Sequence, residues 1–250
     1  MIDTHAHLDA CGGDPGELLA RARAARVVRV VTIGTGIDSC RRALELADTY
    51  DGVSAALGID PHRAASAEAG RVDELHDLLA HPRVVAVGET GLDGYHGAET
   101  LGEQRALLDA QLALADDLGL PVVIHSRAAS GQTARALAPF RGTVVLHCFS
   151  EPELLEAALE RGYYASFAGN VTYPNAGALR DAAARIPADR ILAETDSPYL
   201  APQPVRGRPN EPANVVHTLA ALAAARGETI EELEARIDEN ATRAFGLDRP

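Results

Sequence analysis

Two histidines two residues apart lie near the start of the chain, in Asp3-Thr4-His5-Ala6-His7. On an extended strand, residues i and i+2 share a face, so His5 and His7 can chelate one cation. Two further histidines each close an apolar run. His125 follows Val122-Val123-Ile124, and His147 follows Val144-Val145-Leu146. Two carboxylates complete the set: Glu89 in Val87-Gly88-Glu89-Thr90-Gly91, and Asp196 in Glu194-Thr195-Asp196-Ser197-Pro198. Four imidazoles and two carboxylates suit a pair of divalent ions about 3.5–4 Å apart. The expected assignment places His5, His7 and Asp196 on one ion and His125 and His147 on the other, with Glu89 bridging. Mixed nitrogen and oxygen donors suit Zn, Mn, Co or Fe better than an all-oxygen Mg site. The spacing does not choose among these metals.

The 23 basic residues are all arginine. Without lysine there is no Schiff-base chemistry through a lysine and no carbamylated lysine to bridge two ions. Glu89 is then the evident bridge. Asp196 is expected both to bind metal and to take the proton of a metal-activated water.

Other residues carry weaker signals. Arg127, two past His125, could grip a phosphate with two hydrogen bonds. Arg206 and Arg208 sit in a Pro-rich loop that could fold over the site. Asp93 and Glu194 are expected to orient ligand histidines. Glu211 reads equally as a helix-start residue or a substrate contact. His76, His81 and His217 read as structural. Cys148, next to His147, is expected to point the other way, into the core.

Strand ends must carry these groups. Apolar, β-branched runs predict strands at Ile2–Leu8, Val27–Gly34, Val53–Ile59, Val84–Glu89, Pro121–His125, Thr143–His147, Tyr163–Phe167 and Arg190–Glu194. Helical spacing predicts helices at Glu17–Ala25, Cys40–Ala47 and Leu101–Leu118, the last with Leu107, Leu108, Leu112, Leu114 and Leu118 on its stripe. Thr229 to Phe245 reads as one or two closing helices. Alternating strands and helices predict an α/β fold, either a (β/α)₈ TIM barrel or an open doubly wound sheet. The barrel is favoured, because polar residues recur at strand C-termini, which converge on one face of a barrel.

The chain has 250 residues, 46% of them hydrophobic, and nothing in it suggests a second domain. A single domain over residues 1–250 is expected. The net charge of −13 argues against broad duplex binding by phosphate neutralisation. The first residues show neither a basic nor an apolar leader region, so no secretory signal is expected. Cys11, Cys40 and Cys148 are an odd count with no CxxC spacing, which fits the reducing cytoplasm.

Taken together, the segments Ile2 to Asp9, Gly88 to Asp93, Pro121 to Arg127, His147 to Ser150, Glu194 to Leu200 and Asn210 to Pro212 resemble the TatD family of metal-dependent hydrolases. The resemblance runs from end to end. It implies an amidohydrolase-like barrel, divalent metals on the six residues above, and phosphodiester hydrolysis as a deoxyribonuclease. It also implies that His62 and Arg127 contact the substrate phosphate. The expected partner is DNA, as single strands or frayed ends, and no membrane. An esterase or amidohydrolase acting on a small ester, lactone, amide or aminoacyl ester is the alternative.

Overall fold

The computed structural model describes residues 1–247. Eight parallel strands pair in sequence order: β1 (Ile2–Ala6), β2 (Arg29–Gly34), β3 (Val53–Leu57), β4 (Val84–Asp93), β5 (Val122–Arg127), β6 (Val144–Leu146), β7 (Tyr164–Phe167) and β8 (Ile191–Ala193). The ring is completed just beyond β8, where Asp196 N donates to His5 O (2.9 Å) and His7 N to Ser197 O (2.7 Å). This is the expected (β/α)₈ barrel.

Helices α1 (Pro15–Ala24), α2 (Ile37–Thr49), α3 (Val72–Leu79), α4 (Leu101–Leu118), α5 (Ser130–Leu137), α6 (Leu155–Arg161) and α7 (Gly177–Arg185) return the chain between strands, and with α8 (Val215–Arg226), after β8, they cover the ring. The stripe predicted over Leu101–Leu118 is α4 with the same bounds. The tail forms one helix, α9 (Ile230–Phe245), rather than two. Its start is set by a capping box, Thr229 with Glu232. Among the described residues no helix is long and apolar enough to cross a membrane.

Strand alternation divides the core into two. Ile2, Val31, Ile33, Ala56, Ala86, Val123, Val145, Tyr164 and Leu192 fill the barrel, and Ala241, Ala244 and Phe245 of α9 close its lower end. Their neighbours, among them Val30, Leu57, Val87, Ile124 and Leu146, face outward into the helix layer. That period of two then decides which residues at the upper rim point inward.

Several strand ends differ from expectation. β4 continues four residues past Glu89, because Gly91, Leu92 and Asp93 pair with His125, Ser126 and Arg127 of β5. β6 and β8 stop at Leu146 and Ala193, so His147 and Glu194 stand just beyond them, where the chain turns into the mouth.

Candidate metal centre

At the upper rim of β5, β6 and β8 simple alternation does the placing. Val123, Val145 and Leu192 point inward. His125, His147 and Glu194, each two residues on, take the same direction, whereas Asp196 lies beyond β8 and is turned to the site by a left-handed backbone (φ +54°). β1 and β4 behave differently. Counting from inward-facing Ile2 and Ala86 would send His5 and Glu89 outward. The register of β1 on β2 shifts between Asp3 and Ala6, and that of β4 on β5 between Val87 and Thr90. Each shift inserts one residue and reverses the alternation, as a β-bulge does. His5 and Glu89 therefore turn into the mouth. In β4 Gly88 lies within the shift and Gly91 just beyond it, and both sit close against β5. A Cβ on Gly88 (φ +140°) would lie 2.5 Å from Val123 O, and one on Gly91 (φ +150°) 2.0 Å from His125 O.

The six predicted ligands converge. Glu89 Oε2 lies 3.5 Å from His5 Nε2 and 3.7 Å from His7 Nε2. Its other oxygen, Oε1, lies 3.0 Å from His125 Nδ1 and 3.1 Å from His147 Nε2. Asp196 Oδ1 is 3.4 Å from His7 Nε2 and 3.7 Å from His5 Nε2. Ring nitrogens also face each other, His5 Nε2 and His7 Nε2 at 3.3 Å and His125 Nδ1 and His147 Nε2 at 3.4 Å. So many lone pairs aimed at one small volume repel unless protons or cations lie between them. The donor set therefore fits divalent cations. Ligand atoms of His5, His7 and Asp196, and those of His5, Glu89 and His147, lie close enough to share an ion.

Neighbouring acceptors fix which nitrogen each ring turns inward. His147 Nδ1–H donates to Glu194 Oε1 (3.3 Å), which also accepts from Cys148 N (2.8 Å). Nε2 is thereby left facing Glu89. His125 is reversed: Nε2–H donates to Asp93 Oδ2 (3.1 Å), leaving Nδ1 inward. Asp93 and Glu194 thus stand behind the two histidines they were expected to orient. Asp93 is itself held by backbone N–H groups of Tyr95 and His96, at 2.8 and 2.7 Å.

The charges reinforce one another. Burial pushes the Glu89 carboxyl upward, but His147, His125 and His5 outweigh it and hold Glu89 well below the ordinary carboxylate range. Asp196 is lowered in the same way, with burial opposed chiefly by His7 and His5. Burial pulls His147 down, yet Glu89 and Glu194 raise it well above an ordinary imidazole. His5 is lowered, by burial first and by His147 second.

His62 and Arg127 occupy one side of this cluster. His62 Nε2–H donates to Asp93 Oδ2 at 3.1 Å, and its Nδ1 lies 3.9 Å from Asp60 Oδ1. Asp60 and, after an opposing effect of partial burial, Asp93 raise His62 to about 9. Arg127 is exposed. It donates to His96 Nε2 (2.9 Å) and lies 4.1 Å above the Tyr95 ring.

Other expectations resolve individually. Arg206 stacks 4.0 Å over Tyr173, and Arg208 is exposed. Glu211 pairs with Arg21 (2.7 Å) ahead of a short helical turn. His81 pairs with Asp48. Cys148 is half-buried rather than in the core. Its left-handed backbone (φ +43°) breaks the strand alternation on which the sequence reading relied. Burial, then Asp196, Glu194 and Glu89, hold its thiol well above the usual range.

Sequence reading did not single out Asp3. Its Oδ1 accepts from Thr195 N (2.9 Å) and its Oδ2 from Thr195 Oγ1 (2.6 Å), tying β1 to the segment that carries Asp196. Burial pushes its carboxyl up to about 8. The adjacent His5 in Asp-x-His was the only available signal.

Comparison with known proteins agrees with this geometry. The family profile described as TatD related DNase matches residues 2–246. The metal-dependent hydrolase TatD of Mycobacterium tuberculosis is 39% identical over 99% of this chain and 98% of its own. A Klebsiella pneumoniae protein named 3'-5' ssDNA/RNA exonuclease TatD is 39% identical over 94% of this chain and 93% of its own. The crystal structure of the TatD homologue YJJV from Escherichia coli superposes with a TM-score of 0.93, at 33% identity, over 99% of this chain and 98% of that one. A barrel rim on which six candidate ligand side chains converge, and relatives matched along nearly their whole length, lead to one conclusion: the chain belongs to the TatD-related DNase family of metal-dependent hydrolases.

Proposed function

We propose that this protein is a divalent-metal-dependent phosphodiesterase that acts on DNA presented as single strands or frayed ends. One observation carries the reading: the two oxygens of Glu89 face two different histidine pairs, His5 with His7 and His125 with His147. That arrangement supports two cation positions bridged by Glu89. Asp196 joins the His5–His7 side. The imidazole-rich donor set favours Zn, Mn, Co or Fe over Mg.

Cations held by these residues would supply Lewis-acid stabilisation of the phosphoryl oxygens and lower the pKa of the attacking water. The protein's own residues do the rest. Asp196, held ionised at the mouth, accepts the proton given up by the attacking water. Glu194 and Asp93 keep His147 and His125 in fixed tautomers. His62, cationic at neutral pH, and Arg127 offer positive charge to the non-bridging phosphate oxygens. The net charge of −13 leaves these local groups, rather than a basic surface, to hold the backbone. The name of the Klebsiella relative, an exonuclease on single strands, supports the choice of substrate.

Residues 1–250 act in this reading as one domain, since the ligands come from β1, β4, β5, β6 and the segment after β8. Three free cysteines fit a reducing compartment, the cytoplasm. The test is cleavage of a labelled single-stranded oligonucleotide, with and without chelator, beside Asp196→Asn. Cleavage abolished by chelator and by the substitution is expected. Ester turnover with no oligonucleotide cleaved would overturn the reading.

A further inference from the structure

Four large hydrophobic side chains are exposed among the described residues. Two are aliphatic: Val28, ahead of β2, and Ile230, at the start of α9. The other two are tyrosines, Tyr95 (66% exposed) and Tyr199 (56%), and both follow the C-terminal ends of strands that carry the metal-facing residues. Tyr199 stands edge-on to His7, centroids 5.7 Å apart, and Tyr95 edge-on to His96, 4.7 Å apart. Between these ends run the rings of His5, His147, His125 and His62, with every centroid step from 4.0 to 5.9 Å. The tyrosines therefore terminate a row of imidazoles at opposite ends, with the Glu89 bridge in the middle.

Both are held firmly by the backbone while their rings reach solvent. Tyr199 N donates to Asp196 O (2.8 Å), and Tyr199 O accepts from buried Asn210 Nδ2 (2.7 Å). Tyr95 N donates to Asp93 Oδ1 (2.8 Å). One face of Tyr95 carries the Arg127 guanidinium. Rings pre-positioned in this way lose little freedom when a flat ligand stacks on them.

We propose that Tyr199 and Tyr95 are base-stacking platforms that receive the nucleobases on the two sides of the scissile phosphate. This rests on the phosphodiesterase reading above and adds how a strand is held and why it must be single: paired bases cannot lie on two separate rings. Stacking accepts any base, so the site selects strandedness over sequence.

The experiment is steady-state kinetics of the metal-loaded enzyme on a labelled oligothymidylate and on the same strand with abasic residues flanking the scissile linkage. Tyr199→Ala and Tyr95→Ala are expected to raise KM on the intact strand roughly 5- to 100-fold, with a smaller change in kcat. Phenylalanine at either position should restore it. On the abasic strand the wild type should already show the loss, and alanine should add little, so that the two losses are not additive. Unchanged KM in the alanine variants, or equal losses on both strands, would overturn the proposal; an equal loss for Tyr95→Ala alone would assign that ring to holding Arg127 instead. A wild type that cleaves no oligonucleotide overturns the phosphodiesterase reading itself, a different result from the others. Thermal melts of the variants show that the exposed rings were removed without unfolding.

Discussion

Glu89 Oε2 meets His5 Nε2 at 3.5 Å, and both side chains reach that point only because each follows a register shift in its strand. Without either shift, one of them would enter the helix layer as a buried charge or imidazole. The bulges are therefore part of the site; Gly88 lies within the β4 bulge, and Gly91 just beyond it seats β4 against β5.

That dependence makes Gly91→Ala a sharp probe. The added Cβ would fall 2.0 Å from His125 O, at a backbone angle that L side chains avoid. We expect a loss of about 3 kcal/mol or more in stability. Metal content should fall with it, since β4 must move away from His125. Chemical denaturation and elemental analysis on the same sample check both. A variant with full metal and unchanged stability would show that the strand accommodates the methyl group elsewhere.

Removing Glu194 tests orientation rather than ligation. Glu194→Ala deletes the acceptor of His147 Nδ1 and of Cys148 N. Metal affinity is expected to drop about 10- to 100-fold. Titration calorimetry with a single metal measures it. Glutamine should recover part of the affinity, because its carbonyl oxygen can still accept from the ring.

Chelation should lower thermal stability. A cation held only by the folded chain stabilises it by about 2.7 kcal/mol when present at 100 times its dissociation constant. For a chain of this length that corresponds to roughly 5–10 °C in Tm. Melting curves with and without chelator measure the shift, and Glu89→Gln should shrink it. Equal melting of loaded and stripped protein would count against a metal bound to the native state.

His62 gives the pH dependence. Asp60 and Asp93 raise its folded-state value to about 9, above the ordinary 6.5. Its favourable pairing is thus complete below about 6.5 and is lost as pH rises through about 9. Binding of the substrate phosphate should weaken over the same upper range. We expect the KM for an oligonucleotide to climb between pH 8 and 10 in the wild type. In His62→Gln the KM should be higher at neutral pH and flat across that range. Parallel profiles in the two proteins would remove His62 from substrate binding.

Much of this was legible along the chain. The eight strands, the α4 stripe and the positions of the six side chains that converge at the rim follow from local pattern: apolar β-branched runs, helical periodicity, and polar residues at strand ends. His125 and His147 follow by counting by twos from Val123 and Val145, although the runs before them are apolar at every position and only the barrel core shows which of their residues face inward. The same count fails for His5 and Glu89, and it fails for Cys148, where a left-handed backbone turns the chain. The departures at His5 and Glu89 depend on how one strand pairs with its neighbour, β1 with β2 and β4 with β5. No single strand contains that information. Tertiary structure alone decided that Glu89 turns one oxygen to each histidine pair, that Asp3 ties β1 to Thr195, and that Tyr95 and Tyr199, 104 residues apart in the chain (199 − 95), end the same row of rings. Side-chain type sets what chemistry is possible; the closure of the barrel sets which atoms meet.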